Sequence, residues 1–137
     1  MLVNLTVAKL LKAADYSYGV THIMDANGKF YSSIDDESFD SIVLYMCDLK
    51  ELEEENGEEY FLVPEVSSVV EWLRTNYKLH VEVFINEEHN DYCCRCWSIA
   101  SERNFKLLNT RVAYSSPYEA WIGILESTLK NYVIPKR

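Results

Sequence analysis

Apolar side chains at Val3, Val7, Leu10, Leu11 and Ala14 recur at offsets of 0, 4, 7, 8 and 11, which predicts an amphipathic helix stopping near Tyr16. Beyond Gly19, two short β-prone runs flank Asn27-Gly28. Asn and Gly accept the positive φ angles of a tight turn, so the segment predicts a β-hairpin. Residues 35–41 are polar, and Ile42 to Tyr45 form an apolar run that fits a strand or a helix start equally well. Lys50 to Glu59 is the most acidic stretch and reads as a solvated helix end followed by a loop. Tyr60 to Val63 is a brief buried run that meets Pro64. Proline suits the first helical position, where its missing N–H had no partner, so a central helix is predicted to begin there. Val66, Val69, Val70, Leu73 and Tyr77 continue it on one face, with Glu65, Glu71, Arg74 and Lys78 on others.

The period then changes from helical to alternating. Val81, Val83 and Ile85 alternate with Glu82, Phe84 and Asn86, the pattern of a half-buried strand. Glu87 to Asp91 turns the chain into a second strand, Tyr92 to Ala100. One side of it carries Tyr92, Cys94, Cys96 and Ser98, the other Cys93, Arg95, Trp97 and Ile99. After a turn at Ser101 to Asn104, Phe105 to Ser115 makes a third, and connections this short allow only an antiparallel meander. Ser116-Pro117-Tyr118-Glu119 is a capping-box start for a last helix. Trp121, Ile124, Leu125, Thr128, Leu129 and Tyr132 line one face of it, and Pro135 ends it. The expected architecture is one compact α+β domain over residues 1–137. It comprises an N-terminal helix, a hairpin, a central helix, a three-stranded antiparallel meander and a C-terminal helix, with the helices packed on one sheet face.

Charge narrows the functional classes. Thirteen Lys plus Arg against 22 Asp plus Glu leave a formal charge of −9, a field that repels nucleic-acid phosphates and anionic lipids. Direct nucleic-acid and membrane binding are therefore disfavoured. No apolar run reaches the roughly 18–20 residues of a bilayer-spanning helix, and the N-terminus lacks the basic start and cleavage site of a secretory signal. A soluble, cytoplasmic protein is expected. Cys47, Cys93, Cys94 and Cys96 are not spaced like a disulfide framework, so they are read as reduced thiols packing as small hydrophobes.

Candidate chemistry is sparse. His89, Cys93, Cys94 and Cys96 are ligand types that zinc favours, but adjacent strand residues point to opposite faces, so only Cys94 and Cys96 share one. A nucleophilic cysteine needs a neighbouring base and a cationic pocket, for which His89 and Arg95 are the nearby residues. His22 and His80 have no acidic and nucleophilic neighbours in sequence that would form a triad. The pairs Asp35-Asp36, Glu58-Glu59 and Glu87-Glu88 and the run Glu53-Glu54-Glu55 read as hydrated surface. Phosphate-loop, dinucleotide-binding, hydrolase-elbow and zinc-protease motifs are absent from the sequence. Among the aromatics, Tyr16, Tyr18, Phe84, Tyr92 and Trp97 fall outside the helix stripes, where they could serve a core or an interface.

Four segments together resemble a known group of small proteins. They are Asp25-Ala-Asn-Gly-Lys-Phe-Tyr31, the run into Leu62-Val63-Pro64, Val70-Glu-Trp-Leu-Arg-Thr-Asn-Tyr-Lys-Leu-His80, and Ser116-Pro-Tyr-Glu-Ala-Trp121. The group comprises the uncharacterised small proteins of gut Bacteroidetes, their prophages and their phages, in which a Trp-Leu-Arg-x-x-Tyr-like helix precedes a meander and a final helix. The resemblance covers most of residues 20–134 and implies a phage or mobile-element origin but no activity. The cysteine-rich strand and the glutamates near 51–59 depart from the group's pattern. The expectation is a non-enzymatic accessory or protein-interaction protein with a protein partner and no catalytic, cofactor or metal site. Two alternatives stay open. One is an acidic inhibitor that mimics nucleic acid through Glu51, Glu53, Glu54, Glu55, Glu58 and Glu59, and the other is a thiol or metal site at His89, Cys93, Cys94 and Cys96.

Overall fold

Helix α1 (Leu5–Ala13) forms where the first apolar stripe predicts it and buries Val7, Ala8 and Leu11. It belongs to a computed structural model that describes residues 1–32, 43–99, 105–109 and 113–136. The Asn4 side chain caps α1 by accepting from the Val7 N–H, one of the four donors a helix start leaves without a partner. The predicted hairpin follows as β1 (His22–Asp25) and β2 (Phe30–Ser32), closed by Gly28 at φ +84°. Asp25 shapes the turn: one carboxylate oxygen accepts from the Asn27 and Lys29 N–H groups at 2.9 and 3.0 Å.

The hairpin gains a third strand that the sequence pattern does not distinguish. Tyr60 to Leu62 is strand β3 and pairs antiparallel with β1, giving the order β2-β1-β3. All three of its residues are buried, so it carries no alternation to betray it. The acidic stretch belongs to a full helix, α2 (Met46–Asn56), which Gly57 terminates in the left-handed conformation at φ +67°. Lys12 of α1 ties these pieces together, donating to Glu53 of α2 at 2.6 Å, to the Tyr60 carbonyl at 2.9 Å and to Glu59 at 3.3 Å. Residues 35–41 and Ile42, polar punctuation and apolar run in the sequence, lie outside the described residues.

Helix α3 (Val66–Tyr77) begins later than predicted. Pro64 precedes the N-cap Glu65 instead of occupying the first turn. The reason is a backbone strap: Val3 N–H donates to the Pro64 carbonyl and Val66 N–H to the Met1 carbonyl, which holds 64–65 extended. Besides Val66, Val69 and Leu73, α3 buries Trp72, whose ring meets Tyr16 and Tyr77 edge-on at centroid distances of 5.0 and 5.1 Å.

The meander consists of β4 (Leu79–Asn86), β5 (Asp91–Ser98) and β6 (Phe105–Asn109), hydrogen-bonded in that order. Tyr114 extends it by bridging to Tyr92, while the turn expected at 101–104 lies outside the described residues. Helix α4 (Pro117–Thr128) starts at the expected cap, with the Ser116 hydroxyl accepting from the Glu119 N–H. It does not run unbroken to Pro135. After Thr128 it widens into a π turn, Leu129–Val133, and tightens into a 3₁₀ turn, Ile134–Lys136. Helices α3 and α4 pack on one face of the meander, where Leu79, Val81, Cys94 and Cys96 are buried in the same core that receives α1 and the first sheet. That cover stops short of the hairpin tip, so Ile85, expected on the buried face, is 59% exposed.

Candidate functional site

The other face of the β4–β5 hairpin carries polar and aromatic side chains in close order. Asn86 pairs with Asp91 across the turn, and antiparallel register then sets Phe84 opposite Cys93, Glu82 opposite Arg95 and His80 opposite Trp97. Alternation puts all six on the face away from the helices. This grouping was recoverable from the sequence once the turn was placed, because each pair sums to the same total as Asn86 and Asp91.

Glu82 is the hub. One of its oxygens accepts from Arg95 Nε and also from Trp97 Nε1 at 3.4 Å, while the other lies 3.8 Å from His80 Nε2. Arg95 lies over two rings, its guanidinium carbon 4.8 Å from the Phe84 centroid and 5.1 Å from that of Trp97. Each such cation–π contact contributes about 0.5–1 kcal/mol at an exposed site. From α3, Arg74 reaches across and its Nη2 meets His80 Nδ1 at 2.8 Å. Burial, and secondarily the Arg74 charge, lower the His80 pKa below the ordinary histidine value. His80, Glu82 and Arg95 remain 33%, 31% and 36% exposed, so the cluster is ordered yet accessible. With Trp97 and Ile99 they line a depression of about 270 Å³.

The other sequence candidates are scattered. Cys94 and Cys96 point into the core, Cys93 lies on the open face and His89 is exposed in the turn, so strand alternation separates the thiols as the spacing implied. Burial pushes the Cys96 thiol up, partly offset by the Thr128 hydroxyl beside it. Among the described residues, no three His, Cys, Asp or Glu side chains converge as metal ligands. His22 Nδ1 lies 3.0 Å from the Thr21 hydroxyl on the other sheet. Of the five aromatics outside the helix stripes, Tyr16 is wholly buried, Tyr18 packs against the core and Tyr92 shares the strand side of Cys94 and Cys96, which leaves Phe84 and Trp97 on the open face.

The glutamates do not form one surface. Glu51, Glu54 and Glu55 are exposed on α2 and Glu58 just beyond it, whereas Glu53 and Glu59 turn toward Lys12. Burial pushes the Glu53 carboxyl up, but bonds from Lys12 and the Tyr60 N–H outweigh it and leave it below the ordinary glutamate value. A separate cleft of about 410 Å³ between the first sheet and α2 is lined by Ile23, Tyr31, Ser32, Leu44, Leu52, Asn56 and Tyr60, an apolar wall with hydroxyl and amide groups.

Compared with protein-family models, curated proteins and solved structures, the chain matches none. Among the described residues, no helix is long and apolar enough to cross a membrane.

Proposed function

We propose that the chain is a non-enzymatic protein-interaction protein of phage or mobile-element origin, and that its contact surface is the open face of the meander. The observation that carries this reading is the Phe84–Arg95–Trp97 cluster, pinned by Glu82 across the β4–β5 pair and left partly exposed. Trp and Arg dominate the energetics of protein interfaces because they bring large area and fixed donors, but ordering a rotamer-rich side chain such as Arg costs about 0.5–1.5 kcal/mol. Here the ordering has already occurred in the free protein. The origin rests on the sequence resemblance alone, and a cytoplasmic setting in a bacterial or phage-infected cell accompanies it.

A second reading, the acidic mimic of nucleic acid, draws support from Glu51, Glu54, Glu55 and Glu58. Glu51, Glu54 and Glu55 recur at offsets of 0, 3 and 4 on one exposed side of α2, and Glu58 is exposed just beyond the helix end. It is the weaker reading because Glu53 and Glu59 are drawn toward Lys12, which offsets one of their two charges. Affinity capture from host cells with three proteins separates the two. The expected result is a specific partner held by the wild type, lost with Trp97→Ala, and retained when Glu51, Glu54, Glu55 and Glu58 are changed to Gln. Loss with the Gln variant and steep salt dependence would favour the mimic. Substrate turnover by the purified protein would overturn both.

A further inference from the structure

The chain Arg74–His80–Glu82 has two ends of opposite charge and one titratable group between them. Guanidinium groups donate and cannot accept, so the 2.8 Å contact from Arg74 Nη2 requires an unprotonated Nδ1 on His80. The neutral ring then carries its proton on Nε2, facing the Glu82 carboxylate at 3.8 Å. A proton taken from solvent onto Nδ1 would aim an N–H at an N–H and set two cations side by side. That bond cannot survive, whereas the attraction between an imidazolium and Glu82 increases.

We propose that protonation of His80 exchanges its partner, releasing Arg74 from the sheet face and drawing the ring onto Glu82, so that the open face is a pH-responsive surface. Among the described residues the charged groups around the ring are Arg74 from α3, Glu82 from β4 and Arg95 from β5. Lys78, exposed at the left-handed residue between α3 and β4, lies two positions upstream. Lys106 of β6 holds the register position next to Trp97. Because Glu82 also accepts from Arg95 and Trp97, its movement toward His80 reaches the aromatic cluster. The lowered pKa of His80 fits this geometry: the neutral state is the one the fold has built for. Regulation of partner binding rests on the interaction reading above, whereas the partner exchange within the protein does not.

Nuclear magnetic resonance on the full chain tests it without a partner. At neutral pH the ¹⁵N shifts of His80 should report a protonated Nε2 and a bare Nδ1. On acidification, the Arg74 Nε–H and Trp97 indole N–H signals should move with the His80 midpoint, which should lie below the ordinary histidine value. In Arg74→Ala, a change at an exposed side chain, the midpoint should rise. Arg74 signals that ignore the His80 titration, a proton on Nδ1 at neutral pH, or a midpoint unmoved by Arg74→Ala would each overturn the exchange. None of those results touches the capture experiment with Trp97→Ala, which tests the interaction reading. If both hold, capture by the wild type should change between neutral and mildly acidic buffer, and His80→Gln should abolish that change.

Discussion

Cys93 and Cys94 are bonded neighbours, yet strand alternation places one on the open face and the other in the core. Thiolate access decides alkylation, and burial both shields Cys96 and raises its pKa. Native protein should therefore be modified at Cys47 and Cys93, with Cys94 and Cys96 protected until denaturant is added. Peptide mass mapping after a brief alkylation checks this, and prompt modification of Cys96 would contradict the placement. Gly123 offers a second test at a single site. A Cβ there would collide with the Tyr114 hydroxyl and lie 2.7 Å from the ring carbon that bears it, while the Tyr114 backbone is held by paired bonds to Tyr92. An exposed mid-helix Gly→Ala change normally stabilises by about 1 kcal/mol. Here overpacking should reverse the sign and cost about 1–3 kcal/mol. In a Tyr114→Ala background Gly123→Ala should become stabilising, as read from urea midpoints.

Among the elements, those with a clear period or a turn signal beside them were legible and those with neither were not. Helices α1, α3 and α4 and strands β4 and β5 all emerged from spacing, because each has one wet and one dry side. Strand β3 did not, since three consecutively buried residues ahead of a proline look the same in a strand, a turn or a helix start. Helix α2 shows in the sequence only as a helix end: it buries little beyond Leu49, and its polar remainder carries no stripe. The late start of α3 depends on the backbone of Met1 to Val3 bonding to residues 64–66, which no local rule contains. Within α3, Trp72 stands beside Leu73 and three residues beyond Val69, and so widens the apolar face past the stripe of Val66, Val69, Val70, Leu73 and Tyr77. It is 2% exposed, touches two tyrosines and donates from its indole N–H to the Ser17 hydroxyl at 2.9 Å. Trp72→Ala should cost about 3–5 kcal/mol, a large share of the roughly 5–15 kcal/mol that holds a typical domain. Ser17→Ala should cost only about 1 kcal/mol. Equal losses in urea titrations would mean that the hydrogen bond, not the packed ring, holds α3 in place. The candidate site divides along the same line. Its residue types were in view, but the shared role of Glu82 arises from register across the hairpin and from a helix residue folded back over the strand.

For the whole molecule, a formal charge of −9 at neutral pH means that acidification relieves self-repulsion while it removes specific interactions, so the two must be separated by difference. The signs follow from the shifts. Asp25 is held below the ordinary aspartate value, first by the Lys29 N–H and further by the Asn27 N–H and Tyr31 hydroxyl, against burial. Glu53 is lowered as well. A depressed carboxyl stabilises the fold above its unfolded pKa, near 4, and that contribution is lost as pH falls through the folded value. His80 is depressed too, but as a base. The unfolded chain takes up its proton first, near pH 6.5, so stability from the neutral ring is present above that pH and disappears as pH falls through the lower folded value. Urea midpoints from about pH 8 to 3 should therefore show two separable losses on a background of falling repulsion. His80→Gln should flatten the first, just below about pH 6.5, and leave the second. Asp25→Asn should shrink the second and leave the first. Added salt, which screens the background, should raise the midpoint at neutral pH in all three proteins. If His80→Gln leaves the profile between neutral and mildly acidic pH unchanged, the ring is not held neutral by the fold, and Arg74 and Glu82 lose their place as its two alternative partners.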